Sequence, residues 1–593
     1  MDNSEQVTYF ADTDARNRRI RFGIKAKDRT RHVYVIGKTG MGKSTLLENM
    51  AVQDIRNGNG FAFLDPHGKT ADLLLEYIPK ERINDVIYFA PFDMEHPISF
   101  NVMEDVGYDK RHLVVSGLMS TFKKIWAGAW SARMEYILAN TLLALLEYPE
   151  ATLLEVNRML ADKPFRKKVV DNISDPSVRS FWVDEFAKYS DRYAAEATPA
   201  IQNKIGQFTS NPVIRNIVGQ PESTFDVRKI MDDRKILIIN LSKGRVGEIN
   251  ANLLGSMLIT KIYLAALSRA DIPEETLQTM PNFYLYVDEF QSFANESFAN
   301  ILSEARKYKL NLTIAHQYIE QMSDEVRAAV FGNVGTLITF RVGAYDAEVL
   351  EKEFQPTFEV EDIVNLGAYQ IYLRLMIDGI SSKPFSARSI PPIEKVDISY
   401  VEEVKEASRK QYTHPREEVE KLISENITKG NEQNQNNNSN YKPNNNSNSN
   451  TRPKNNYPNN KYNNKTKTAD KNPVIDKDLK TQLDKALKNN SNKSDFGGIS
   501  LSEMTKQTQR SGGSDFRPKK EKPTENSNSL RDALKDILGD TKKQAPKKPI
   551  DQTLNKPKKQ TPPLTVSTTQ NKQMPKKPLE IPKKELKDIL GLE

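Results

Sequence analysis

Seven short runs rich in β-branched and aromatic residues recur along the chain: HVYVI at 32–36, GFAFLD at 60–65, DVIYFA at 85–90, KILIINL at 235–241, FYLYVDE at 283–289, NLTIA at 311–315 and GTLITF at 335–340. Segments with apolar residues at three-to-four spacing separate them. Apolar strands alternating with helices predict an α/β fold, a mostly parallel sheet covered on both faces. An eighth segment, YQIYLRLMIDG at 369–379, is expected to close the sheet before the chain leaves through Pro391 and Pro392.

Between Val106 and Arg234 the pattern turns almost wholly helical, in MEYILANTLLALLEY, TLLEVNRMLA and SFWVDEFAKYS, which predicts an all-helical insertion. A charged helix is expected from Tyr400 to Glu425. After it, 17 of the 34 residues from Asn431 to Asn464 are asparagine. Such a stretch buries too little apolar area to offset chain entropy, so a disordered tail is expected. The organisation is then a core in two parts, 1–105 and 235–395, around a helical insertion at 106–234. A charged helical linker at 396–428 and a disordered Asn-, Lys- and Pro-rich tail at 429–593 follow. The string LKDILG occurs twice in that tail, at 534–539 and 586–591. It reads either as a docking motif that folds on a partner or as a chance likeness of two nascent helices.

Composition changes the picture in two ways. The net charge of +8 divides unevenly: residues 431–593 hold 33 Lys or Arg against 18 Asp or Glu, leaving the rest of the chain at about −7. Basicity belongs to the tail and says little about what the core binds. With no cysteine, disulfides, thiolate zinc sites and Cys nucleophiles are excluded. No apolar run is expected to reach the roughly 18 residues of a membrane span, and MDNSEQVTYF is not ordered like a secretory signal. The chain therefore reads as soluble and cytoplasmic, reaching the inner face of a membrane only through a partner.

The chemistry concentrates in GKTGMGKST. Gly37, Lys38, Thr39, Gly40, Met41, Gly42, Lys43, Ser44 and Thr45 follow a strand and open a helix, the context a phosphate-binding loop requires. Gly37 and Gly42 let backbone amides turn toward phosphate oxygens, at the positive end of the helix. Lys43 would reach the β and γ phosphates of ATP, and the Ser44 hydroxyl would ligate Mg2+. Hydrolysis needs acids on another strand, which FYLYVDE supplies. Asp288 would hold the metal through water, and Glu289 would activate the attacking water. Gln317, after NLTIA, is placed to contact the γ phosphate, with a turn or cap role as the alternative. Arg306 reads either as a solvated helix charge or as a finger reaching a neighbouring subunit in a closed ring, and Arg341 competes for that role. Asp65 and His67 fall at the carboxyl end of a strand, as second-layer groups or as parts of a turn. Trp126 and Trp130, four apart with Arg133 nearby, share a face if one helix carries them, for stacking on a strand of nucleic acid or for packing. Arg16, Arg18, Arg19 and Arg21 form a basic cluster that is either functional or a solvated face.

The P-loop together with LDPHGK at 64–69, LYVDEF at 285–290, EARKYKL at 304–310 and IAHQY at 314–318 resembles the FtsK/HerA superfamily of ring translocases, closest to the coupling ATPases of conjugative type IV secretion systems. The resemblance spans residues 20 to 392. It implies a RecA-like P-loop NTPase of the additional-strand catalytic-glutamate type, in which EARKYKL carries a subunit-bridging arginine. It further implies a homohexamer threading DNA through a pore, with membrane-embedded secretion components as partners. The chain departs from that pattern in having no long apolar segment ahead of its P-loop. Two other readings stand beside it: a ring ATPase handling protein substrates for a secretion or pilus machine, and a nucleotide-switched scaffold acting through its tail and an unknown tail-binding partner.

Overall fold

Continuous apolar runs make strands with both faces buried, and the central strands here are of that kind. The computed structural model describes residues 4–14 and 18–436. The Asn-rich segment beyond Asn436, both LKDILG strings and Arg16 lie outside the described residues. In chain order the strands are β1 (Val7–Thr13), β2 (Arg21–Lys25), β3 (Val33–Ile36), β4 (Gly60–Asp65), β5 (Val86–Phe89), β6 (Ile236–Asn240), β7 (Phe283–Val287), β8 (Leu310–His316), β9 (Thr336–Thr339), β10 (Gln370–Arg374), β11 (Met376–Ile377), β12 (Ile380–Ser381) and β13 (Phe385–Ser389).

Eleven of them form one sheet in the order β2-β1-β13-β10-β9-β3-β8-β7-β4-β6-β5. From β9 to β5 every pairing is parallel, and from β9 out to β2 every pairing is antiparallel. Strand alternation feeds two cores. Val33, Val35, Phe61, Phe63, Ile236 and Ile238 face the helix Lys43–Arg56, while Tyr34, Ile36, Ala62, Leu64, Leu237 and Ile239 face the other layer.

The segment at 369–379 does not close the sheet. β10 pairs with β9 on one side and β13 on the other, and β1 and β2 continue outward. These strands escape an apolar-run reading because they bury only part of their length: β13, FSARS, buries Phe385, Ala387 and Ser389 and leaves polar residues between them. The remainder of that segment is the small hairpin of β11 and β12.

Helices fill the connection from β5 to β6, from Arg111–Ile125 to Val227–Asp232. Local signals set their ends. Ser131, Asp162, Asp175, Asn211 and Asp226 each accept a hydrogen bond from the first turn of the helix they precede, and Pro176, Pro199 and Pro212 begin helices. The tryptophans do not share a helix face. Trp126 caps the helix Arg111–Ile125, a 3-10 turn follows, and Trp130 lies beyond it. Trp126 packs at 5.1 Å from the Phe208 ring, Trp130 donates to Glu135 at 2.7 Å, and Arg133 lies over Tyr193.

Among the described residues one helix, Glu248–Asp271, is long and apolar enough by length and composition to cross a membrane, contrary to the expectation from apolar runs. It is mostly buried here: Leu253, Leu254, Leu258 and Ile262 belong to the larger core. The expected charged helix is two helices, Val401–Tyr412 and Arg416–Asn436, broken before Pro415. The first covers the sheet edge, where Ser408 Oγ accepts the Tyr88 amide of β5 at 2.9 Å.

Candidate functional site

Seven parallel strands present their carboxyl ends on one edge, the place where ligands gather in such sheets. The loop Gly37–Gly42 leaves β3 there, between the ends of β8 and β9. The Gly37 amide donates to the His316 carbonyl at 3.3 Å and the Lys38 amide to the Arg341 carbonyl at 2.8 Å. Gly37 has no room for a side chain, since a Cβ would lie 2.5 Å from that of Phe340. Gly42 has φ 117°, and a Cβ there would meet the rings of Tyr369 and Phe340 at 3.1 and 3.2 Å. The helix Lys43–Arg56 starts at the next residue, so its free amides face the loop. Lys43 Nζ donates to the Gly37 carbonyl at 2.6 Å and to that of Lys38 at 3.3 Å. Burial lowers its pKa, against the pull of Asp288 and Glu289.

The acids stand at the end of β7, two strands from β3. Ser44 Oγ donates to Asp288 Oδ2 at 2.9 Å. Burial is the main cause that pushes the Asp288 carboxyl up to about 6, reinforced by the charges of Glu289 and Asp65 and opposed by the Ser44 hydrogen bond. Glu289 sits in the left-handed region, φ 49° and ψ 47°, a strained placement for a side chain of its size. Its amide donates to Asp288 Oδ1 at 2.9 Å. Each carboxylate oxygen is held by an amide: Gln317 donates to Oε1 and Gln291 to Oε2. Gln317 in turn accepts from Thr39 Oγ1 at 3.0 Å, so a P-loop hydroxyl, an amide and the carboxylate form a chain.

Among the other sequence candidates, Asp65 accepts the amides of His67 and Ala71 and so shapes the turn after β4. His67 Nε2 lies 4.0 Å from Glu289 Oε1 with its side chain exposed. Arg341 is beside the P-loop of its own chain. Arg306 is not brought to this edge: it is exposed in the turn Ala305–Tyr308 that precedes β8, at the opposite end of the strands, where its charge bears on His32. Gly40, Met41 and Thr45 occupy the loop and the first helical turn as expected.

Three neighbours carry no local sequence signal. His316, at the end of β8, is buried beside Tyr34, with Nδ1 3.2 Å from its hydroxyl, and burial pulls its pKa down to about 3. Tyr369, at φ 64°, lays its half-exposed ring against Gly42. Lys124 reaches in from the helical block, donating to the Gln291 carbonyl at 2.6 Å.

A glycine loop capping a helix, a lysine and serine at its start, and a Ser-linked acid pair on a nearby strand define the fold and site of a P-loop NTPase. The chain belongs to the family described as Type IV secretory system Conjugative DNA transfer, whose model matches residues 7–335. That match takes in β1, ahead of the start at residue 20 expected from the motifs.

Solved structures that match this chain include the plasmid coupling protein TrwB in complex with ADP and Mg2+, at 16% identity over 64% of this chain and 90% of that one, TM-score 0.48. TrwB in complex with the non-hydrolysable GTP analogue GDPNP matches at 18% identity over 64% and 89%, TM-score 0.47. VirB4 of Thermoanaerobacter pseudethanolicus matches at 13% identity over 61% and 89%, TM-score 0.38. No curated protein matches this chain.

Proposed function

We propose that this chain is a magnesium-dependent ATPase that works as a homohexameric ring moving DNA, as the coupling ATPase of a conjugative type IV secretion system. The observation that carries the ATPase reading is the meeting of Ser44 with Asp288 beside a Glu289 whose carboxylate is gripped by Gln317 and Gln291. Family membership supports the DNA reading.

The residues fit magnesium. Ser44 and Asp288 offer hard oxygen donors, and the crowding of Asp288 by Glu289 and Asp65 is a surplus of negative charge that a cation relieves. Among the described residues no group of three or more His, Asp or Glu side chains is arranged to hold a metal alone. That suits an ion which keeps its waters and arrives with phosphates. Bound magnesium would draw charge from the phosphate oxygens.

The protein's own groups do the rest. The amides of 37–45 orient the phosphates, and Lys43 exchanges its loop carbonyls for phosphate oxygens. Glu289 takes the proton of the attacking water, held in place by two amides. Gln317, bonded to both Thr39 and Glu289, registers the state of the γ phosphate. Arg306, far from its own P-loop, would act on the site of the adjacent subunit. Recruitment to the membrane would come through a secretion component.

Turnover of ATP by the full chain, with and without single- and double-stranded DNA, tests this reading together with its mass in solution. Expected are ATP hydrolysis that DNA accelerates and a mass of about six chains. A lack of stimulation by either DNA would falsify the DNA reading, and a monomer under turnover conditions would remove the ring.

A further inference from the structure

The loop after Glu289 is not free to settle by itself, because the last turns of the helix Arg111–Ile125 hold it along its length. Thr121 Oγ1 accepts from Asn295 Nδ2 at 3.3 Å, and Ser120 Oγ accepts the Ser297 amide at 3.4 Å. Lys123 pairs with Glu296 at 3.1 Å on the surface. Lys124, the last of the four, donates to the Gln291 carbonyl at 2.6 Å, and the Gln291 side chain donates to Glu289 Oε2. Two bonds therefore join the helical block to the catalytic carboxylate.

We propose that Lys124 is a positioning residue for Glu289: by anchoring the Gln291 backbone it sets the placement of the Glu289 carboxylate, so the seating of the helical block governs turnover. The inference rests on the ATPase reading above.

Glu289 occupies a left-handed backbone conformation that its side chain disfavours, so something outside the residue must hold it, and the strained turn Glu289–Ser292 contains the carbonyl that Lys124 binds. The placement of Lys124 is itself unfavourable. Burial lowers its pKa to about 8, and among the described residues no carboxylate forms an ion pair with it. A partly buried ammonium with only a neutral partner loses hydration that this partner does not fully restore, so its presence at this spot is explained better by precise support of the loop than by stability. Lastly, a charged donor grips a carbonyl more strongly than a neutral one and on a defined line. A shift of the helix would move Gln291 and with it one of the two amides on Glu289.

The test uses the full chain with Lys124→Met, Lys124→Arg and, as a control at an exposed position of the same helix, Ser116→Ala. Steady-state ATP turnover and the affinity for a fluorescent non-hydrolysable ATP analogue are measured for each. Lys124→Met is expected to lower kcat about 10-fold, a part of the 10²–10⁴ that a general base supplies. KM and analogue affinity should stay within about twofold, as for a group acting only on the chemical step. Lys124→Arg should recover most of kcat, and Ser116→Ala should match the parent. Unchanged kcat in Lys124→Met, with the parent active, overturns the inference and leaves the ATPase reading standing. A joint fall of kcat and analogue affinity that Lys124→Arg does not mend also overturns it, since that is the mark of a merely structural residue. A parent that binds the analogue but does not hydrolyse ATP overturns the ATPase reading, and the inference with it.

Discussion

Ser44 and Asp288 are 244 positions apart in sequence and 2.9 Å apart in space, joined by a hydrogen bond from the hydroxyl to the carboxylate. The first turn of one helix and the tip of β7 thus share a proton donor and a charge. Neither group is comfortable without the other: the carboxylate is buried, and two further acids stand near it.

That discomfort predicts a trade between stability and activity at Asp288. Its folded carboxyl binds a proton more readily than the unfolded one, with the pKa raised from 3.8 to about 6. The stability this proton provides is complete below the unfolded value and is lost as pH rises through about 6. Asp288→Asn removes the charge and should stabilise the protein at pH 7.5, without nucleotide or metal, by about 2–3 kcal/mol. The gain should fade below pH 4, and turnover should vanish at every pH. Thermal melting of parent and variant across pH checks it. An Asn variant less stable than the parent at pH 7.5 would show that the carboxylate is better compensated than its surroundings imply.

Glu289 and Gln317 should separate binding from chemistry. Glu289→Gln should lower turnover by about 10²–10⁴ while nucleotide affinity holds. Gln317→Glu should be more damaging than Gln317→Ala, because it sets a second negative charge against Glu289 Oε1 in place of a donor. Single-turnover hydrolysis with a parallel binding titration distinguishes these. Unchanged hydrolysis in Glu289→Gln would assign the base elsewhere.

Acid lability should trace to a buried imidazole. His32 Nδ1 accepts the Leu312 amide at 3.0 Å, and Nε2 lies 3.2 Å from the Leu302 carbonyl, so the ring is neutral with its proton on Nε2. Burial is the largest cause that pulls its pKa down to about 4. The folded ring resists protonation, so this stability is complete above the ordinary value of 6.5 and falls as pH drops toward 4. His32→Gln can keep both hydrogen bonds and does not titrate. Its stability should decline less steeply than the parent's between pH 6.5 and 4, by about 3 kcal/mol over the interval. Urea unfolding at a series of pH values measures the slope, and parallel curves would exclude His32 as a cause.

The P-loop helix is tied to the strand that carries the acids by a buried ion pair. Arg29 donates to both Asp54 oxygens, at 2.9 and 3.0 Å, and to the Tyr286 hydroxyl at 2.7 Å, with its guanidinium 3.6 Å from the Tyr284 ring centre. Asp54→Ala strands a buried cation and should cost about 3–5 kcal/mol. Adding Arg29→Met should return part of that loss, since an apolar pair needs no compensation. Denaturation of the single and double variants decides it, and additive losses would mean that the two residues act separately.

Much of the molecule was legible along the chain. Each parallel strand buried on both faces stood out as an apolar run, because both layers of the core demand it. The P-loop and the acid pair were visible because phosphate binding constrains adjacent residues. The outer strands β1, β2 and β13 were not, since a partly exposed strand tolerates polar residues and loses its contrast with a loop. Trp126 and Trp130 misled for a related reason: a spacing of four implies a shared face only if one helix runs through both, and a 3-10 turn intervenes.

By itself, then, the sequence determined a parallel α/β body with a phosphate loop, a helical insertion and an acidic strand end. These are properties that neighbours in the chain impose on one another. Tertiary structure alone decided that Lys124 would reach Gln291, that Tyr369 would lie against Gly42 and that Arg306 would stand at the far end of the strands from Lys43. Such meetings depend on strand order and helix seating, which the packing of distant segments settles and no local spacing encodes.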